Sequence, residues 1–224
     1  MTLFSQNPGA ITIDGPCGAL EARLTPAANE GMLGAGWLAL VCHPHPQHGG
    51  TMNNKVVTTL ERCYRDLGAE VICFNFRGVG ASAGTFDHAV GEVDDLCAVA
   101  EWARRQAPDA KLLLAGFSFG SSVAAQAAHR LDGVRHLTLV APPVERYPYD
   151  RDGGFPCPVC VLQGLEDERV DVPGVQAWTD ALRTPARWLP FPAAGHFFHG
   201  KLTPMKRALA DALSEQLKLE ERPR

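Results

Sequence analysis

Five residues, Gly116-Phe117-Ser118-Phe119-Gly120, stand between an apolar run at 111–115 and a stretch rich in small residues at 121–130. The first run has the character of a buried strand and the second that of a helix. G-x-S-x-G therefore falls on a strand–turn–helix junction. Strand and helix pass close together at such a turn, so both flanking positions need a residue with almost no side chain. The turn lifts the central hydroxyl out of the sheet and sets it at the helix start, where unpaired N–H groups and the helix dipole favour negative charge. A serine hydroxyl is a weak nucleophile by itself. With a neighbouring base, and donors for the oxyanion that develops, it can attack a carbonyl carbon. A serine that merely caps the following helix is the plainer alternative.

Other side chains able to complete that chemistry follow apolar runs of their own. The run at 37–42 leads into His43-Pro44-His45-Pro46-Gln47-His48-Gly49-Gly50, and the run at 70–76 into Arg77-Gly78-Val79-Gly80. The run at 158–163 leads into Gly164-Leu165-Glu166-Asp167-Glu168, and Gly195-His196-Phe197-Phe198-His199-Gly200 follows the run at 186–191. Serine, then acid, then histidine is the chain order of one hydrolase arrangement. Glu166, Asp167, Glu168 and Asp171 compete for the acid, with Glu145 as a fallback; His196 and His199 compete for the base. The acid would hold the imidazole tautomer and stabilise the imidazolium. One oxyanion donor would be the N–H of Phe119, the residue after the nucleophile. The second would come from the loop after 37–42, where Pro44 and Pro46 have no N–H to give. His88, His129 and His136 read as ordinary surface or core residues.

Alternating strands and helices must position these groups. Strands are predicted at 10–13, 19–24, 37–42, 70–76, 111–115, 134–140, 158–163 and 186–191, with a glycine-rich loop at 29–36. Helices are predicted at 53–67, stopped by Gly68, at 90–106, after Ser118, at 172–182 and at 202–219. This alternation implies a largely parallel sheet covered on both faces, with sites beyond the carboxyl ends of its strands. The 224 residues can bury a large core, and a single domain spanning 1–224 is expected. Apolar residues at 46% and charged ones at 21% are ordinary for a globular chain. A net charge of -4 gives no reason to expect a nucleic-acid or anionic-membrane partner, and apolar stretches such as 36–42 are too short to span a bilayer. Residues 1–8 show no basic segment followed by an apolar one, so no secretion signal is expected. The seven cysteines are odd in number and mostly sit in apolar runs. That pattern suits packed thiols in a reducing cytoplasm better than a disulfide framework. Cys157 and Cys160 have C-x-x-C spacing but no matching second pair, and read as core.

The segments 43–52, Phe74-Asn75-Phe76-Arg77-Gly78-Val79-Gly80-Ala81-Ser82, 116–120, 164–167 and 195–200 together resemble the α/β-hydrolase superfamily. More narrowly, they are similar to small lidless bacterial serine hydrolases with an H-P-H-P-x-x-G-G-T-M segment. The resemblance runs from about Trp37 to the last helix. It implies a three-layer α/β/α sandwich with about eight mostly parallel strands. It also implies cleavage of small-molecule esters through an acyl-enzyme, with no metal or organic cofactor. The family's G-x-x-D step falls on Asp167 and its Gly-His step on His196, which leaves His199 to support the loop. In relatives the second oxyanion donor follows a His-Gly or His-Pro step; here that is His45, with Gly49 and Gly50 as alternatives. The family also has an Arg-Gly-x-Gly-x-Ser loop, in which Arg77 would anchor the loop rather than touch substrate. Cap domains usually enter between the strands that here end at Val140 and begin at Pro158. That connection is short, so an open site without a lid is expected, suited to small or exposed esters. Ser118 separates the chain from haloalkane dehalogenases, which need aspartate there, and from dienelactone-type hydrolases, which need cysteine.

Two patterns point elsewhere. His43-x-His45-x-x-His48 resembles the metal-binding motif of metallo-β-lactamase-like hydrolases, but Gln47 stands where that motif has aspartate. Gly78-Val79-Gly80 with Gly84 resembles a dinucleotide-binding turn, yet no helix begins at once, and Asp94 and Asp95 sit inside a predicted helix. The same three catalytic groups would also serve a thioesterase or an acyltransferase. A binding module that kept the fold would lack a live nucleophile.

Overall fold

A computed structural model of the chain describes residues 9–28 and 31–220. Eight strands form one sheet: β1 (Gly9–Gly15), β2 (Gly18–Thr25), β3 (Trp37–Cys42), β4 (Glu70–Phe74), β5 (Lys111–Phe117), β6 (Val134–Val140), β7 (Val159–Gly164) and β8 (Ala186–Phe191). Five helices flank it: α1 (Lys55–Leu67), α2 (Gly91–Gln106), α3 (Phe119–Ala128), α4 (Val172–Ala181) and α5 (Leu202–Glu220). The strand order is β1-β2-β4-β3-β5-β6-β7-β8. β1 and β2 form an antiparallel hairpin and β2 is antiparallel to β4; all pairs from β4 to β8 are parallel. The chain thus has the three-layer α/β-hydrolase fold read from its sequence.

Both faces of the sheet's central strands are dry, which explains why these strands read as unbroken apolar runs. Leu38, Leu40 and Cys42 of β3 pack on the side of α2, α3 and α4. Trp37, Ala39 and Val41 pack on the side of α1 and α5. Asn54 caps α1 by accepting the Val56 N–H at 2.9 Å, and Gly68 ends it in the left-handed region at φ 100°.

Some boundaries differ from the sequence reading. The strand expected at 70–76 stops at Phe74: the Asn75 N–H still bonds Glu21 O of β2 at 2.8 Å, but the Phe76 N–H turns away to the His43 ring at 3.1 Å. The helix after Ser118 begins at once at Phe119. The reading of residues 1–8 and part of the loop at 29–36 lie outside the described residues.

No cap domain enters between β6 and β7. Residues 141–158 instead fold back on the body, where Tyr149 is buried and Trp178 of α4 donates to Asp150 at 2.6 Å. Among the described residues no disulfide forms, and every cysteine except Cys17 is buried. No described helix is long and apolar enough to cross a membrane.

Candidate active site

Ser118 occupies the turn between β5 and α3 at φ 51° and ψ −122°. An L-residue held there stores on the order of 1–3 kcal/mol of backbone strain. Both flanking glycines are required by close approach: a Cβ on Gly116 would overlap the carbonyl oxygen of Gly120, and one on Gly120 would overlap that of His43. The strained residue is pinned from two sides. Its N–H donates to Val140 O at 2.8 Å, and its carbonyl accepts the Ser121 N–H at 2.8 Å and the Ser121 hydroxyl at 2.5 Å. With its one proton so engaged, Ser121 Oγ accepts the Tyr149 hydroxyl at 2.7 Å. The Ser118 side chain makes no capping bond to α3, so the plainer alternative for this serine does not hold.

His196, beyond β8, points Nε2 at Ser118 Oγ from 3.0 Å and Nδ1 at Asp167 Oδ2 from 2.9 Å. The Asp167 side chain is fully buried and that of His196 is 5% exposed. Burial alone would raise the Asp167 pKa. The bonds from His196, the Arg169 N–H and Gln163 nevertheless hold it below the ordinary carboxylate value. Its Oδ1 accepts the N–H groups of Arg169 at 2.8 Å and Val170 at 3.1 Å, and its Oδ2 also accepts Gln163 Nε2 at 3.0 Å. An ionised acceptor on Nδ1 fixes the proton there, which leaves the Nε2 lone pair to face the serine hydroxyl.

The competing residues sit elsewhere. His199 is exposed, with its ring 5.9 Å from that of Phe197. Glu145 pairs with Arg146 at 3.2 Å. Glu168 accepts the backbone N–H of His196 at 3.3 Å rather than its ring. Gln163 and Tyr149 escaped the sequence reading. A buried glutamine ending an otherwise apolar strand was a visible signal for the first; nothing local marks the second.

The loop after β3 closes the other side of the site. His43 is buried: its Nε2 accepts the Phe76 N–H, so its Nδ1 donates to Pro44 O at 2.6 Å. Burial lowers its pKa to about 4, and the ring is neutral at pH 7. Asn75 accepts the Met52 N–H at 2.8 Å and fastens the far end of the loop. The Gly49 N–H is spent on Pro46 O and the Gly50 N–H on His45 O. The N–H groups of His45 and Phe119 have no acceptor among the described residues. The rings of these two residues lie 5.1 Å apart, and both residues line a cleft with Ser118.

With both His43 nitrogens engaged, the His43/His45/His48 pattern does not converge, and no cluster of three metal-ligating side chains occurs among the described residues. Arg77 is an anchor, as expected: its N–H and guanidinium both bond the fully buried Asp95 of α2, at 2.9 and 2.8 Å.

A family model described as the alpha/beta hydrolase fold matches residues 40–156. A protein of Rickettsia prowazekii, described only as uncharacterized, is 36% identical over 212 residues, which is 91% of this chain and 87% of its own length. The chain belongs to the α/β-hydrolase family. Among solved structures, this α/β hydrolase is similar to XC6422 from Xanthomonas campestris, described as a serine hydrolase without a lid. The two share 41% identity and a TM-score of 0.87 over 95% of this chain and 96% of that one. A serine hydrolase homologue from Coxiella burnetii is 38% identical with a TM-score of 0.88, over 94% of this chain and 99% of that one.

Around Ser118 the hydrolase has a two-lobed open cleft. The larger lobe, about 350 Å³, runs past His48, Gly50 and Phe197; the smaller, about 150 Å³, runs past Phe119, Pro143 and Tyr147. The cleft opens at the β3/β5 boundary, where the strand order reverses and α/β sheets place their ligands.

Proposed function

We propose that this serine hydrolase cleaves small carboxylic esters through an acyl-enzyme, working as a single cytoplasmic domain without cofactor. The reading rests on one observation above all: the hydrogen-bonded line Ser118–His196–Asp167, at 3.0 and 2.9 Å, starts at a strained turn beside two unused N–H donors. Ser118 attacks the ester carbonyl while His196 Nε2 takes its proton. The oxyanion rests on the N–H groups of His45 and Phe119. The C–O bond breaks as His196 returns the proton to the departing alcohol, and water repeats the sequence to release the acid. Asp167 stays ionised throughout and stabilises the imidazolium.

The test is reaction with a fluorophosphonate probe alongside a series of p-nitrophenyl esters of graded chain length. Wild-type protein should label at Ser118 and hydrolyse the shorter esters. Ser118→Ala should lose labelling and at least about a thousandfold in kcat/KM with its circular dichroism unchanged. A silent wild-type protein would favour a binding module. Faster release to added thiols or alcohols than to water would favour a transferase.

A further inference from the structure

The whole chain carries more acid than base, 25 Asp and Glu against 21 Lys and Arg. The cleft at Ser118 inverts that balance. Among the described residues no carboxylate lines either lobe, while Arg169 lines both and Arg146 lines the smaller one. The two arginines are built into one feature: Arg146 Nη2 donates to the Arg169 carbonyl at 2.7 Å. The Arg169 guanidinium lies 5.2 Å over the Phe197 ring, and that ring in turn meets His196 at 5.1 Å. Each arginine has an acid at its Nε edge, Glu145 at 3.2 Å and Glu168 at 3.6 Å. Among the described residues no acceptor bonds the Arg169 Nη groups. A guanidinium with its terminal nitrogens available presents a planar fork matched to a carboxylate. Tyr147 and Phe119 pack edge to face at 5.5 Å and supply an apolar wall beside it.

Resting on the esterase reading, we propose that the substrate is an ester bearing a second, ionised carboxylate, such as the half-ester of a short dicarboxylic acid. Arg169, assisted by Arg146, holds the carboxylate while the ester carbonyl meets Ser118. Reaction of the half-ester with water gives the free diacid and an alcohol, so the chemistry of the preceding section balances unchanged.

The comparison that isolates charge is mono-p-nitrophenyl glutarate against its methyl-capped counterpart, methyl p-nitrophenyl glutarate. Wild-type kcat/KM should favour the anion by about tenfold at low salt, mostly through KM. That preference is about 1.4 kcal/mol, modest because both arginines are half-exposed and screened. It should shrink toward parity at about 0.5 M NaCl. In Arg169→Gln the anion-to-neutral ratio should drop to about one, and in Arg146→Gln by about threefold. Arg169→Glu should reverse the preference. A wild-type preference for the methyl-capped ester, or a ratio unmoved in both glutamine variants, overturns the inference while leaving the esterase standing. Hydrolysis of neither ester, with no fluorophosphonate labelling, refutes the esterase reading itself.

Discussion

Acidification from pH 7 to pH 4 should remove a large share of the protein's stability, and two buried imidazoles set the size of the effect. His43 lies under the active-site loop. His136 lies within β6, its Nε2 donating to Gln216 Oε1 at 3.1 Å and its Nδ1 facing Thr138 Oγ1 at 3.4 Å. Both are fully buried, and burial lowers both from 6.5 to about 4. Below pH 6.5 the unfolded chain binds a proton at each site that the native protein refuses until about pH 4. The stabilisation is therefore complete above pH 6.5 and is lost as pH falls toward 4. At ~1.4 kcal/mol per pH unit, each histidine accounts for about 3 kcal/mol and the pair for roughly 6. A typical domain has only about 5–15 kcal/mol in all. Carboxylates such as Asp167, held below their ordinary pKa, add their losses at more acid pH. Urea unfolding at pH 7, 6, 5 and 4 measures the slope, which should approach two protons between pH 6 and 5. His43→Gln keeps an acceptor for the Phe76 N–H and should lower the slope by about one proton. A flat stability profile from pH 6.5 to 4.5, or a wild-type slope in His43→Gln, would refute the reasoning. Protonating His43 also turns the acceptor at Nε2 into a donor facing the Phe76 N–H, so the loop bearing His45 should loosen over the same range.

Two further substitutions probe the turn and the acid. Ser118→Gly abolishes the nucleophile yet relieves backbone strain at φ 51°. It should raise the free energy of unfolding by about 1 kcal/mol, part of the gain being offset by the lost Ser–His bond; an unchanged or lower melting temperature would contradict the strain account. Gln163→Leu removes the amide bond to Asp167 Oδ2, and should lower kcat by about tenfold with little change in KM. An unchanged kcat would mean that the two backbone N–H groups alone hold the carboxylate.

How far the sequence reveals this molecule depends on whether a feature is local. Ser118, with a glycine two residues away on each side, is legible because the turn itself demands those glycines, and the central parallel strands are legible because both of their faces are dry. His45 is reached only through the family resemblance: the prolines beside it lack an N–H, but Gly49 and Gly50 remain possible donors in the sequence. The end of β4 was hidden: Phe76 continues the apolar run, and only a distant partner, His43, draws its N–H out of the ladder. Tyr149 and Ser121 stand 28 positions apart, and the Arg146–Arg169 pairing joins loops after different strands. Such contacts exist only once the sheet is assembled. The acid illustrates both sides. Asp167 was one of several carboxylates in an ordinary-looking loop, and burial together with three donors besides His196 distinguishes it from Glu166 and Glu168.

The short, tethered connection at 141–158 has a kinetic consequence. With Tyr149 tied to Ser121 and Asp150 to Trp178, no hinge must swing before reactants enter or products depart. Turnover on the proposed chemistry is then limited by bond making and breaking, not by gating. On the same proposal, an acyl group on Ser118 would face the open cleft from the moment it forms, tilting its fate toward capture by water over handing on to another acceptor.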